Sequence, residues 1–194
     1  QGSHRGHVTV LKAMGVDSDG QADCAVDYRG HVTVLKSHEG GDGPAVSAAT
    51  GELQCDETDL VIPGRGLDFV WARSYRSRTG PTTAQGAGWD FSYNVALSLQ
   101  PDGTAQLRSG NGRTDTFYAD GTNGWVRNEY FVVVGDLDGD GTPERVTFPD
   151  TGKWLFHPLG SAVGGKLRQI VDRNANLMTL EYDGAGRLAS IVDD

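Results

Sequence analysis

The sequence predicts an all-β chain, a meander of antiparallel hairpins that curls into a curved sheet or partial β-shell and carries Asp-rich loops. Three observations support this expectation. Glycine makes up 28 of 194 residues, about twice its usual share of roughly 7%, yet aromatic and β-branched residues stay plentiful, so the chain is turn-rich without being low in complexity. Glycine-centred turn signals recur at short intervals, at Asp102-Gly103, Asn111-Gly112, Asp120-Gly121, Thr151-Gly152 and Asp183-Gly184, the rhythm of successive hairpins. Apolar residues alternate beside these turns, in YNVALSL and TAQL around Asp102 and in LMTLEY and RLASIV around Asp183, which is the period of half-buried strands. No stretch keeps a helical period over a useful length.

The elements follow in chain order. The opening QGSH, Gln1 to His4, reads as a cloning remnant, so the lack of a charged-then-apolar leader carries no information about compartment. RGHVTVLK occurs at Arg5 to Lys12 and again at Arg29 to Lys36, a copied unit in which an Arg-Gly turn enters a strand. Ser37 to Ala49, SHEGGDGPAVSAA, is rich in small and turn-forming residues and reads as an exposed linker. These features divide the chain into an arm with its linker over 5–43, a main module over 44–165 and a terminal hairpin over 166–194.

The densest chemistry lies in GDLDGDGTPE, Gly135 to Glu144, where Asp136, Asp138 and Asp140 are followed by Gly141 and Glu144. Calcium takes 6 to 8 oxygen ligands at about 2.3–2.6 Å; alternate residues of a tight loop aim side-chain oxygens at one point, and a glycine lets the backbone double back. With Asp136 as position 1, the aspartates fill positions 1, 3 and 5, the Thr142 carbonyl falls at 7 and Glu144 at 9. An EF-hand needs a bidentate Glu at position 12, where Thr147 stands in a strand pattern, so this is not an EF-hand. The loop resembles instead the D-x-D-x-D-G-x-x-D calcium loop of integrin-type propeller blades and their bacterial relatives, with Glu144 in place of the last Asp. The alternative is a polar hairpin turn with solvated carboxylates. An earlier loop aligns loosely with it, Asp17 on Asp138, Asp19 on Asp140, Gly20 on Gly141 and Asp23 on Glu144. Gly15 stands at its first position, so it reads as a degenerate copy with Asp17, Asp19 and Asp23 as calcium ligands. A bound ion neutralises carboxylates that otherwise repel, so calcium is expected as a structural cofactor. A dissociation constant tenfold below ambient calcium contributes about 1.4 kcal/mol to the folded state.

Composition narrows the function classes. Lys plus Arg is 17 against 26 for Asp plus Glu, a net charge of -9, which repels phosphate backbones and argues against a nucleic-acid partner. No apolar run approaches the roughly 20 residues of a membrane-spanning helix, so no membrane insertion by this chain is expected. Cys24 and Cys55 could form one disulfide in an oxidising compartment or remain two buried thiols; neither has the spacing of a zinc site.

No nucleophile elbow, phosphate-cradling glycine loop or H-E-x-x-H is present, and the chain is read as a non-enzyme. The five histidines, His4, His7, His31, His38 and His157, are scattered, and His7 and His31 occupy the same position of the repeat. Asp56, Glu57 and Asp59 read as exposed strand residues rather than as a catalytic acid pair. Trp71, Trp89, Trp125 and Trp154 read as core or inter-strand fillers, although an exposed pair could stack on sugars.

From about Thr50 onward the chain resembles RHS (rearrangement hotspot) or YD-repeat proteins. The carriers are YDGAGRL, Tyr182 to Leu188, which fits Y-D-x-x-G-R-L, and its lead-in IVDRNANLMTL, with Ala175 where glycine is common. Upstream, TGELQCDETDLVIPGRGLDFVWARSYRSR followed by GAGWDFSYNVALSL resembles the opening module that such proteins place before their repeats. The resemblance implies a spiral β-sheet closing into a hollow shell, which in many bacterial members encases a C-terminal toxin and in animal relatives serves cell-surface adhesion. It implies a secreted or surface location in a bacterium and the remainder of the same polypeptide as partner, with a cell-surface glycan or protein as a further one. The self-cleaving aspartyl protease motif of toxin-bearing members does not occur here. Tyr182 and Asp183 read as an aromatic packing on the next hairpin and an aspartate capping its own turn.

Overall fold

The structure, a computed structural model, describes residues 45–47, 50–64, 66–122, 124–127 and 132–193, together with the backbone of three short strands nearer the N-terminus. The chain forms two compact units, Gln1–Asp42 and Gly43–Asp194. In the first, β1 (Lys12–Ala13), β2 (Cys24–Val26) and β3 (Val32–Val34) make an antiparallel sheet in that order. Asp17, Asp19 and Asp23 lie outside the described residues. Every described element is a strand and every strand pairing is antiparallel, the fold class the turn rhythm predicts. Among the described residues no helix is long and apolar enough to cross a membrane.

The second unit opens with a small sheet. β5 (Leu53–Ile62) and β6 (Phe69–Arg76) form its central hairpin. β4 (Ala45–Val46) covers the start of β5. After the short hairpin of β7 (Thr82–Thr83) and β8 (Gly86–Ala87), β9 (Trp89–Phe91) pairs with β6. The register Tyr75↔Trp89 and Arg73↔Phe91 gathers the aromatic residues on one face, where Trp71 stacks on Phe91 (ring centroids 5.2 Å) and Phe69 on Tyr93 (5.4 Å). A bulge between Thr58 and Leu60 makes Asp59 the extra residue, and its carboxylate grips Arg73 through two hydrogen bonds of 2.5 and 2.7 Å. Asp56 pairs likewise with Arg76 (2.9 Å), so both acids are exposed partners of β6. Glu52 is buried and accepts from the N–H groups of Arg78 and Thr79 and from the Thr79 hydroxyl, which anchors the turn after β6.

Ten further strands follow, hydrogen-bonded in strict chain order. They are β10 (Ala96–Leu99), β11 (Ala105–Arg108), β12 (Thr114–Ala119), β13 (Gly124–Arg127), β14 (Val132–Gly135), β15 (Arg145–Thr147), β16 (Lys153–Phe156), β17 (Leu167–Val171), β18 (Leu177–Tyr182) and β19 (Leu188–Asp193). Alternate residues face inward, Leu97, Phe117, Val134, Trp154 and Met178 among them, each buried. Burial of such side chains stabilises by about 1.5–3 kcal/mol apiece. Inward residues must also fit one another, and the sheet curls to bring them together. The curl closes where the Leu97 N–H donates to the Gly165 carbonyl (2.7 Å) and the Leu167 N–H to the Val95 carbonyl (3.1 Å). The first strand thereby meets the segment leading into β17, and β18 and β19 run on beyond this seam.

Five of the connecting loops share one geometry. In each, a residue's N–H donates to the carbonyl four residues on, and the residue just before that carbonyl donates back: Gln100/Thr104, Ser109/Arg113, Phe148/Gly152, Asp172/Asn176 and Asp183/Arg187. The fourth residue of each five takes a left-handed conformation, the signature of a three-residue hairpin loop. In three loops it is glycine: Gly103, Gly112 and Gly186. In the other two it is Thr151 (φ 70°) and Ala175 (φ 66°). The sequence points to Gly152 and Gly184 as the turn glycines, but the slot lies one residue earlier in the first and two later in the second. A side chain in this conformation costs about 1–2 kcal/mol, against roughly 0.5–1 kcal/mol for the freer unfolded chain of a glycine. Thr151→Gly should therefore stabilise the unit, by up to about 1 kcal/mol because its β-branch is the worse fit, and Ala175→Gly by less. Chemical denaturation reads both.

Candidate metal centre

The loop between β14 and β15 is built by the aspartates it displays. Asp136 accepts from the N–H groups of Gly139 (2.7 Å) and Gly141 (2.8 Å) and more weakly from Asp138 (3.2 Å). Those donors, Gly141 first, hold its carboxyl below the ordinary aspartate range. Gly139 and Gly141 both have positive φ, in a backbone that turns two N–H groups, two residues apart, toward one carboxylate. Asp138 accepts in turn from the Asp140 N–H (3.1 Å). On the far side, the Glu144 N–H donates to the Gly135 carbonyl (3.0 Å) and the Phe156 N–H to the Glu144 carbonyl (2.8 Å), so the sheet fixes the position of Glu144.

Asp136, Asp138 and Glu144 bring carboxylate oxygens within 4.8 Å of one another. Oxygens bound to one calcium at about 2.4 Å stand at most about 4.8 Å apart, so the three can share one ion. Glu144 is only 4% exposed. Burial first, then the charges of Asp138, Asp140 and Asp136, pushes its carboxyl above the usual range, while the Leu137 N–H eases it back. A buried carboxylate facing other carboxylates, with no cation salt-bridged to it among the described residues, suits a hard divalent cation. Water and backbone oxygens would complete the shell.

Of the four expected carboxylates, Asp136, Asp138 and Glu144 form this group and Asp140 is not in it. The Asp140 carboxylate accepts from the N–H and hydroxyl of Thr142 (2.8 and 2.7 Å), closing a local turn. Thr142 enters through that pair. The burial of Glu144 is the feature that spacing alone does not display, and its nearest signal is Pro143, which is fully buried beside it.

Elsewhere, Cys55 forms no disulfide among the described residues, and its S–H donates to a Glu57 oxygen (3.4 Å); burial and then Glu57 push the thiol up. Cys24 lies in β2, whose side chains are outside the described residues, as are His4, His7, His31 and His38. Trp125 and Trp154 are buried fillers, whereas Trp71 and Trp89 are half-buried. Asp183 accepts from the N–H groups of Ala185 and Arg187 and caps its own turn.

Residues 43–117 match one sequence family, described as a domain of unknown function (DUF6531). The DUF6531 match runs from the small sheet through β11 into β12 and stops before the acidic loop. Its description assigns no activity. No curated protein matches the chain.

Proposed function

We propose that the chain is a non-enzymatic structural module of a large secreted or cell-surface RHS/YD-repeat protein, one that starts or seals the β-shell and is stabilised by calcium held at Asp136, Asp138 and Glu144. The observation that carries this reading is the ten-stranded curl whose last hairpin is the Tyr182 to Leu188 motif itself. β19 ends the strand order, and a sheet edge left open invites a further strand. In a longer polypeptide that strand would be the next repeat hairpin. Hydrogen exchange tests it: the β19 amides that do not donate to β18 should exchange quickly in the 194-residue chain and become protected in the full-length protein. Equal exchange in both, or hydrolytic activity in the pure chain, would sink the reading.

An adhesion module is the second reading. It is favoured by the small sheet, whose aromatic face includes half-buried Phe69 and Trp71 beside Leu60 and Ile62, 48% and 53% exposed. Repeatable glycan-array binding that disappears in Trp71→Ala would favour it over the scaffold.

A further inference from the structure

Three parts of the curled sheet meet at the seam, namely the end of β16, the segment 165–167 that receives β10, and the last hairpin. His157 stands among them. Its N–H donates to the Lys166 carbonyl (2.9 Å) and its own carbonyl accepts from the Gly165 N–H (2.9 Å). The Tyr182 ring lies edge-on to the imidazole, with centroids 5.7 Å apart at 78°, and the Tyr182 hydroxyl donates to the Leu167 carbonyl (2.7 Å). The Lys166 ammonium sits over the Tyr182 ring, 5.3 Å from its centroid, and donates to the Gly186 carbonyl at the tip of the β18–β19 hairpin. Tyr182 and Lys166 thus fasten that hairpin to the seam.

The position suits the neutral form of the imidazole. Its Nε2 is enclosed without a hydrogen-bond partner, and so is Nε of Arg168. A neutral ring can leave Nε2 as a bare lone pair, whereas the imidazolium carries a proton there and needs an acceptor. The charge acting on it is a cation, Arg168 of β17, and the Lys166 ammonium of the segment leading into β17 lies over the neighbouring Tyr182 ring. The third neighbour, the Tyr182 phenol, is pushed by burial up to about 12 and stays neutral. Among the described residues no carboxylate is hydrogen-bonded or ion-paired to His157. Burial and then Arg168 hold the imidazole below its ordinary value. A folded-state value below the unfolded one means that this contribution to stability is complete above about pH 6.5 and is lost as pH falls through the folded value.

We propose that His157 is an acid-operated latch, whose protonation releases the β18–β19 hairpin from the seam while the earlier strands stay paired. The test is hydrogen exchange of the 194-residue chain in chelator at pH 7.5 and 5.0, read as protection relative to the intrinsic rate at each pH. The expected result is a selective loss of protection over residues 177–193 at pH 5.0, with β12–β16 unchanged. His157→Phe, or His157→Gln if the first does not fold, should keep 177–193 protected at both pH values. Glu144→Gln should keep the wild-type response, since its carboxyl titrates at a separate place. A uniform loss across the unit, the same loss in the His157 variants, or a response that vanishes in Glu144→Gln would overturn the latch.

Discussion

Calcium added to the chelator-treated chain should raise its melting temperature by about 5–10 °C at 100 times the dissociation constant, since mass action there contributes about 2.7 kcal/mol and a unit of this size gains roughly 2–4 °C per kcal/mol. Glu144→Gln separates the parts of this expectation. In chelator the variant should melt above the wild type, because it removes a buried negative charge that faces Asp136 and Asp138. It should also lose most of the calcium response. The pH dependence has a definite sign: Glu144 binds its proton more tightly when folded, so its contribution is present below about pH 4.5 and is lost as pH rises through the folded value. In chelator, wild-type stability should therefore fall over that rise relative to Glu144→Gln, and saturating calcium should reverse the order, since the wild type alone gains from the ion. Asp138→Asn should lose the response as well, whereas Asp140→Asn should retain it, since Asp140 serves Thr142. An equal shift in wild type and Glu144→Gln would remove the ion from the loop.

Gly165→Ala should cost the second unit about 3 kcal/mol or more and open its curl. Gly165 has φ 74°, and a β-carbon there would collide with the carbonyl oxygen of Leu97, the strand it receives. The left-handed backbone alone costs an alanine about 1–2 kcal/mol, and the collision falls on backbone, which cannot swing aside. Gly160→Ala is the matched control: nothing lies within 4 Å of a β-carbon there and its φ is not positive, so it should be neutral within about 0.5 kcal/mol. If both variants melt together with the wild type, the seam contributes nothing to the fold.

The hairpin rhythm was legible because each three-residue loop needs one left-handed residue and glycine fills three of the five slots. Thr151 and Ala175 were not legible as occupants of that slot, since the cross-strand pair that defines it is set by register and not by composition. The alternation in LMTLEY was equally readable, as Met178 and Leu180 face inward. In the acidic loop, spacing pointed to Asp136, Asp138 and Glu144, whose carboxylates cluster, but it could not say that Asp140 would be captured by the Thr142 hydroxyl two residues away. Closure at Leu97 and Gly165 left no local trace, because it depends on the accumulated twist of the strands between them.

The strict strand order has a consequence for how the molecule is made. Every pairing within the ten-stranded sheet joins neighbours along the chain, so each new strand leaving a ribosome finds its template already in place. The seam, where Leu97 meets Gly165 and Val95 meets Leu167 about 70 residues later, must wait, roughly 4–14 s at 5–20 residues per second. Through that interval the growing protein is an open trough with an unguarded apolar lining, and it is then that a chaperone would have most to hold.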